Sequence, residues 1–154
     1  MTDQSGRGGP RRTVALDPAE ALRLLGSVPL GRVVFSRKAL PAVRPVNHLL
    51  DGGDIIIRTH DGAALVSHAR QDAGDGVVVA YEADDIDPAT RLGWSVVVIG
   101  YCHLVTDSEQ VTRYQETLHP WSDQEMDHVV RIRPDLITGI RLVAEACPRL
   151  PSSE

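Results

Sequence analysis

Arg58 and Thr59 stand side by side at the end of an apolar run, ahead of the polar stretch His60-Asp61-Gly62 and a short helical segment. Arginine offers a planar fork that matches phosphate, and threonine a hydroxyl donor. A helix N-terminus adds backbone N–H groups that the helix itself does not use. These three together predict an anion site. Upstream, Arg44-Pro45-Val46-Asn47 lies across a tight turn at Asp51-Gly52-Gly53-Asp54, so the two segments read as a β-hairpin. Pro45 removes a ladder donor and predicts an edge or a bulge there. The hairpin thus gathers a guanidinium, a hydroxyl and irregular backbone, and much of the chain reads as scaffold for it.

Other residue types with chemical potential carry weaker patterns. Of the six histidines, His48, His60, His68, His103, His119 and His128, none forms a zinc-type pair with a third ligand in register. Each reads individually as a surface histidine. Asp84-Asp85-Ile86-Asp87 lacks the spacing of a calcium loop; it reads as a solvated loop in which Asp87 caps ahead of Pro88. No phosphate-binding P-loop, dinucleotide fingerprint or nucleophile elbow is present. Trp94-Ser95 and Trp121 lie beside polar turns. They would either shape a flat-ligand pocket or a dimer seam, or pack at the edge of the core. The sequence singles out no catalytic residue and no metal ligand.

The elements that position these residues follow from the apolar pattern. Residues 1–13 read as a flexible polar leader, 14–146 as one folded domain and 147–154 as a tail. Asp17-Pro18-Ala19-Glu20 predicts a helix start, with Asp17 capping, Glu20 completing a capping box and Gly26 as the stop. Strands are predicted over 31–36, 42–50, 55–59, 77–82 and 93–106, with a helical run over 63–70 and a polar loop over 84–92. Thr106 and Glu109 predict a second capping box, opening a helix toward His119 that Pro120 ends. Two closing strands follow over 127–133 and 136–143, separated by Pro134-Asp135. The strand from Gly93 is apolar on both faces and needs cover on both. About seven strands with few helices make the chain mainly β, a small barrel or sandwich.

Composition narrows the function classes. Sixteen basic and twenty-one acidic side chains give a formal charge of −5 in 154 residues. That disfavours a nucleic-acid partner, whose footprint is a net basic surface. No apolar run approaches a membrane span, and the N-terminus has no secretory signal, so no membrane partner is expected. Cys102 and Cys147 have neither metal nor redox spacing, which suits a reduced cytoplasmic protein. With one Phe and three Tyr, the core must be built mainly of Val, Ile, Leu and Ala.

The pieces occur in a telling order: Arg44-Pro45-Val46-Asn47, Arg58-Thr59, Val79-Ala80-Tyr81-Glu82, Gly93-Trp94-Ser95-Val96, Pro120-Trp121, Arg131-Ile132-Arg133-Pro134 and Thr138-Gly139. This order resembles the pyridoxamine 5′-phosphate oxidase-like family, in its short actinobacterial branch, from about residue 16 to 143. The resemblance implies an antiparallel split β-barrel of six to seven strands with flanking helices, of the FMN-binding type. It implies a homodimer with cofactor sites at the interface, and a flavin-dependent oxidoreductase acting on a small or flat molecule. FMN is the implied cofactor, with a deazaflavin as the alternative. By the same resemblance Arg58 and Thr59 face the phosphate, and Pro45, Val46 and Asn47, next to Arg44, run beside the isoalloxazine ring. Leu65 and His68 of the short helix, Trp94, Ser95 and Trp121 complete the implied cofactor-binding set. The family commonly carries a lysine where Ala64 stands here. His68, four residues on, shares that helical face. The missing lysine leaves two further readings: a flavin or deazaflavin binder without turnover, or a barrel without cofactor.

Overall fold

The computed structural model describes residues 11–59, 65, 76–120, 126 and 128–145. In chain order these form β1 (Arg11–Ala15), α1 (Pro18–Gly26), β2 (Leu30–Arg37), β3 (Leu40–Asp51), β4 (Asp54–Thr59), β5 (Val77–Ile86), β6 (Gly93–Leu104), α2 (Ser108–Thr117) and β7 (His128–Ala144). All pairings are antiparallel. The strand order is β1-β7-β4-β3-β2-β5-β6, and β6 also pairs with β7. Six strands therefore close into a ring, and β1 is appended to β7. This is the predicted mainly β barrel with flanking helices.

Alternation along the strands decides what fills the barrel. Val33 and Phe35, Ile55 and Ile57, Val79, Tyr81 and Ala83, Trp94, Val96 and Val98, and Val130 and Ile132 all point inward and are buried. Each large aliphatic side chain so buried contributes about 1.5–3 kcal/mol. Helix α1 closes one end of the barrel with Ala21, Leu24 and Leu25. A smaller cluster on the outer surface joins Tyr114 of α2 to Ile56 and Val129.

Several boundaries differ from the sequence expectation. The leader was predicted to run to Thr13, but Arg11–Ala15 pairs with Ala144–Ile140 on the edge of β7 that β4 leaves uncovered. β5 continues to Ile86 through residues predicted as loop, because Asp84 and Asp85 stay paired with Ser95 and Trp94 while their side chains remain at the surface. The two predicted closing strands are one, 17 residues long. Pro134-Asp135 is not a turn: the register shifts between Ile99 and Gly100, and the bulge absorbs the missing proline donor. Gly100 is required there, since a Cβ would stand 2.3 Å from the Arg133 carbonyl oxygen.

The caps also differ in part. Asp17 caps α1 by accepting from the Ala19 amide at 2.9 Å, as predicted. Glu20, however, turns to Arg23 and Arg141 at 2.6 and 3.2 Å rather than completing a box. Gly26 is the last helical residue, and Ser27 is the C-cap. In α2 the cap is Asp107 and not Thr106; its carboxylate accepts from the Glu109 and Gln110 amides. Asp87 does cap the turn after Pro88, accepting from Ala89 and Thr90. Of the predicted helical run 63–70, only Leu65 is among the described residues; it is helical and buried. No helix among the described residues is long and apolar enough to cross a membrane.

Candidate functional site

The hairpin β3–β4 closes on Gly52-Gly53, both at positive φ, as a two-residue turn requires. Pairing runs from Asp51↔Asp54 back to His48↔Ile57 and stops there. From Asn47 on one strand and Arg58 on the other, the strands diverge. β4 stays with β7 through Arg58↔Val129 and Thr59↔His128, while β3 stays with β2 from Asn47↔Leu30 to Leu40↔Arg37. This divergence is the split in the barrel.

The open edge of β3 has a defined polarity. The His48 amide donates to the Pro29 carbonyl at 2.9 Å, toward the β2 side. By the alternation of an antiparallel ladder, residues 41, 43, 45 and 47 turn their backbone groups the other way, into the split. Two of these four are prolines, so the edge shows carbonyls and few donors, which blocks pairing with a further strand. Pro45 is thus locally an edge residue, as its chemistry predicted.

A cavity of about 280 Å³ lies in the split, lined by Leu30, Pro45, Val46, Asn47, Arg58, Pro120 and Met126. Four of the predicted site residues therefore meet in one groove. Its walls are largely apolar, with the Asn47 amide and the Arg58 guanidinium as polar points. Both are already engaged. Asn47 Nδ2 donates to the His119 carbonyl oxygen. Arg58 Nη1 donates to Leu118 O at 2.8 Å and Gln115 O at 3.4 Å, and Nε and Nη2 donate to Met126 O at 3.0 and 2.7 Å. The arginine thus satisfies carbonyls at the C-terminal end of α2, which lack helical partners.

The other predicted residues lie around this groove or away from it. Thr59, next to Arg58, points to the opposite face of β4 by strand alternation. It is 7% exposed, and its hydroxyl has no hydrogen-bond partner among the described residues. A buried hydroxyl left unpaired costs about 1–3 kcal/mol. Arg44 is exposed and donates to the Val43 carbonyl at 2.9 Å. Trp94 packs in the barrel core, the second of its two sequence readings, while its neighbour Ser95 faces outward. His68 and Trp121 lie outside the described residues, as do His60 and Ala64.

Sequence reasoning missed the buried polar pair behind the groove. His48 was expected at the surface, yet it is buried, with Nε2 2.8 Å from Leu25 O and Nδ1 2.5 Å from the Tyr81 hydroxyl. A carbonyl only accepts, so Nε2 carries the proton and Nδ1 accepts from Tyr81. Burial lowers the His48 pKa below the ordinary histidine value and raises that of Tyr81. The only sequence signal was a tyrosine at an inward position of β5. A second network, at the far end of the hairpin, joins Asp51 to Tyr114 and Arg113, and Asp54 to Arg131 at 3.0 Å. Arg131 also donates to the Tyr114 hydroxyl at 2.6 Å. The Tyr114 hydroxyl and the Arg113 charge hold the Asp51 carboxyl below its usual range. On the outer sheet face, Arg32 lies 3.2 Å from Glu82 and 3.8 Å from Asp84. Burial, together with Asp84, pushes the Glu82 carboxyl up to about 7. Among the described residues, no three His, Cys, Asp or Glu side chains converge as metal ligands would.

This arrangement has relatives. The pyridoxamine 5′-phosphate oxidase family model matches residues 17–141. Rv0080, an uncharacterized protein of Mycobacterium tuberculosis, is 55% identical over 149 residues, which is 95% of this chain and 98% of that protein. An FAD-binding protein of Mycobacterium smegmatis is 32% identical with a TM-score of 0.62, covering 84% of this chain and 98% of its own. A candidate pyridoxamine 5′-phosphate oxidase of Corynebacterium glutamicum is 33% identical with a TM-score of 0.67, covering 87% and 96%. The matched span contains β2 to β6, all but the last three residues of β7 and the whole of the groove, and on that evidence the chain belongs to the pyridoxamine 5′-phosphate oxidase family.

Proposed function

We propose that this chain is a flavin-dependent oxidoreductase that binds FMN in the split between β3 and β4 and acts on a small or flat molecule. The observation that carries the reading is the groove itself. It is apolar enough for a planar ring, and β3 turns its unpaired backbone groups into it. Asn47 and Arg58 are among its lining residues. Pro45, Val46 and Asn47 would hold the ring and Arg58 the phosphate, while Thr59, on the opposite face of β4, does not line the groove. A bound flavin supplies hydride transfer; the chain's own residues bind it, orient it and exclude water. The flavin named for the Mycobacterium smegmatis relative is FAD, so FMN and FAD belong in the same assay.

We further propose that the chain works as a cytoplasmic homodimer. Strand register lines up Val43, Val34, Ala80, Ile99 and Leu136 in one row across the outer sheet face. Val43, Val78 and Leu136 in this patch are 51%, 59% and 55% exposed. An apolar patch of this kind marks an interaction surface. The adjacent row begins at Pro45 and continues with the Arg32–Glu82 pair, so the patch reaches the groove at its Val43–Pro45 end, which supports a cofactor site bordered by the second copy.

A second reading has its own support. Ala64 replaces the family's lysine, and the Arg58 donors are already bonded to carbonyls. Both favour a weaker binder, a flavin or deazaflavin carrier without turnover, or a barrel without cofactor. Titration with FMN, FAD and a deazaflavin, followed by stopped-flow reoxidation of the bound reduced cofactor, separates these. Acceleration by an acceptor supports the oxidoreductase. Binding without acceleration supports the carrier, and no binding supports the cofactor-free barrel.

A further inference from the structure

We propose that His48 and Tyr81 are positioning residues that fix the Val46–His48 backbone, the floor of the groove, to the plug helix α1; the bearing on cofactor rests on the flavin reading above. The link is continuous. α1 ends beneath the hairpin, where Leu25 O accepts from His48 Nε2 at 2.8 Å. His48 Nδ1 accepts from the Tyr81 hydroxyl, and the same oxygen lies 3.5 Å from Val46 O. The two rings meet edge to face, 5.1 Å between centroids and 85° between planes.

The surroundings leave Tyr81 little freedom. It is 0% exposed, and its ring lies against Gly31, where a Cβ would be 2.4 Å from the hydroxyl. Gly31 is the register partner of Val46. The tyrosine tip is therefore enclosed between Gly31, Val46 and His48. This is also where β3 loses β4 as a neighbour and depends on β2 alone. An edge segment with one ladder gains rigidity from a buried side-chain network, and rigid backbone binds a planar ligand with less ordering cost.

Amide hydrogen exchange on the full chain tests this. Tyr81→Phe keeps the ring and removes only the hydroxyl. His48→Leu removes both nitrogens, while His48→Gln retains a donor and an acceptor. Protection at Val46 and His48 falls about tenfold or more in Tyr81→Phe and His48→Leu, and His48→Gln retains most of it. Protection at Ile55–Ile57 and Val130–Ile132 stays within about twofold, which a merely structural role would not spare. Unchanged protection at Val46 and His48, or an equal loss across the whole sheet, overturns the proposal. FMN affinity, titrated separately, weakens about tenfold in Tyr81→Phe. A wild-type chain that binds no flavin while the local exchange pattern holds overturns the flavin reading and leaves the positioning role standing.

Discussion

Arg58 lies beneath the last turn of α2, with Nη1 donating to the Leu118 carbonyl oxygen at 2.8 Å. One side chain from β4 thereby ties down the C-terminal end of α2, while two further donors reach Met126 O. From sequence alone, Arg58 reads as a phosphate anchor. With its fork bonded to backbone, Arg58→Ala should destabilise the apo chain by about 2 kcal/mol or more, because charged donors are removed and partly buried carbonyls lose their partners. Urea unfolding of the cofactor-free protein measures it, and an unchanged midpoint would show that these bonds contribute nothing in solution.

Gly31→Ala places a methyl group into the Tyr81 ring. Tyr81 is fully buried and must shift to admit it, so a loss of about 1–3 kcal/mol is expected, as for other overpacked sites. The double variant Gly31→Ala with Tyr81→Leu should recover part of it, read from thermal midpoints.

The β2–β3 turn is a stability reserve. Lys38 and Ala39 have φ of 50° and 63°, a left-handed pair that side chains with a Cβ adopt at a cost. Replacing them by Asn-Gly keeps the two-residue hairpin and should stabilise the chain by about 1 kcal/mol. A lower thermal midpoint would count against the assigned turn.

Stability should carry an opposing pair of pH dependences. The Glu82 pKa is raised to about 7 in the fold, against about 4.5 when unfolded. The native state therefore holds the proton more tightly, and this contribution, complete below about 4.5, is lost as pH rises to about 7. His48 acts in the other sense: its pKa is lowered by burial, so stability falls as pH drops below the ordinary histidine range. The difference between wild type and Glu82→Gln isolates the first effect. Wild type should lose about 1 kcal/mol relative to the variant between pH 5 and pH 8. A constant difference would remove the Glu82 assignment.

What the sequence made legible was what alternation and turn chemistry encode. The strands that carry Val33, Ile55, Ile57, Val96 and Val98, the Gly52-Gly53 turn and the edge role of Pro45 all follow from local patterns, whereas the inward face of the β6 strand, apolar on both sides, did not. β7 was not legible as one strand, because Pro134 reads as a break until Gly100 is seen to admit a bulge opposite it. β1 was hidden because Arg11-Arg12-Thr13 has no apolar pattern; it is held by an available strand edge. The site was half legible. Residue types singled out Arg58 and the family resemblance added Asn47, but only tertiary structure shows which carbonyls they hold and that His48 lies buried behind them.

The most direct test of the flavin groove is a titration of the purified chain with FMN and with FAD, followed by flavin fluorescence and by the visible spectrum. The account predicts saturable quenching at one site per chain in the low micromolar range or tighter, about −8 kcal/mol, weakened by Asn47→Ala. No quenching by either flavin at roughly a hundredfold higher concentration, with the chain folded, would contradict it.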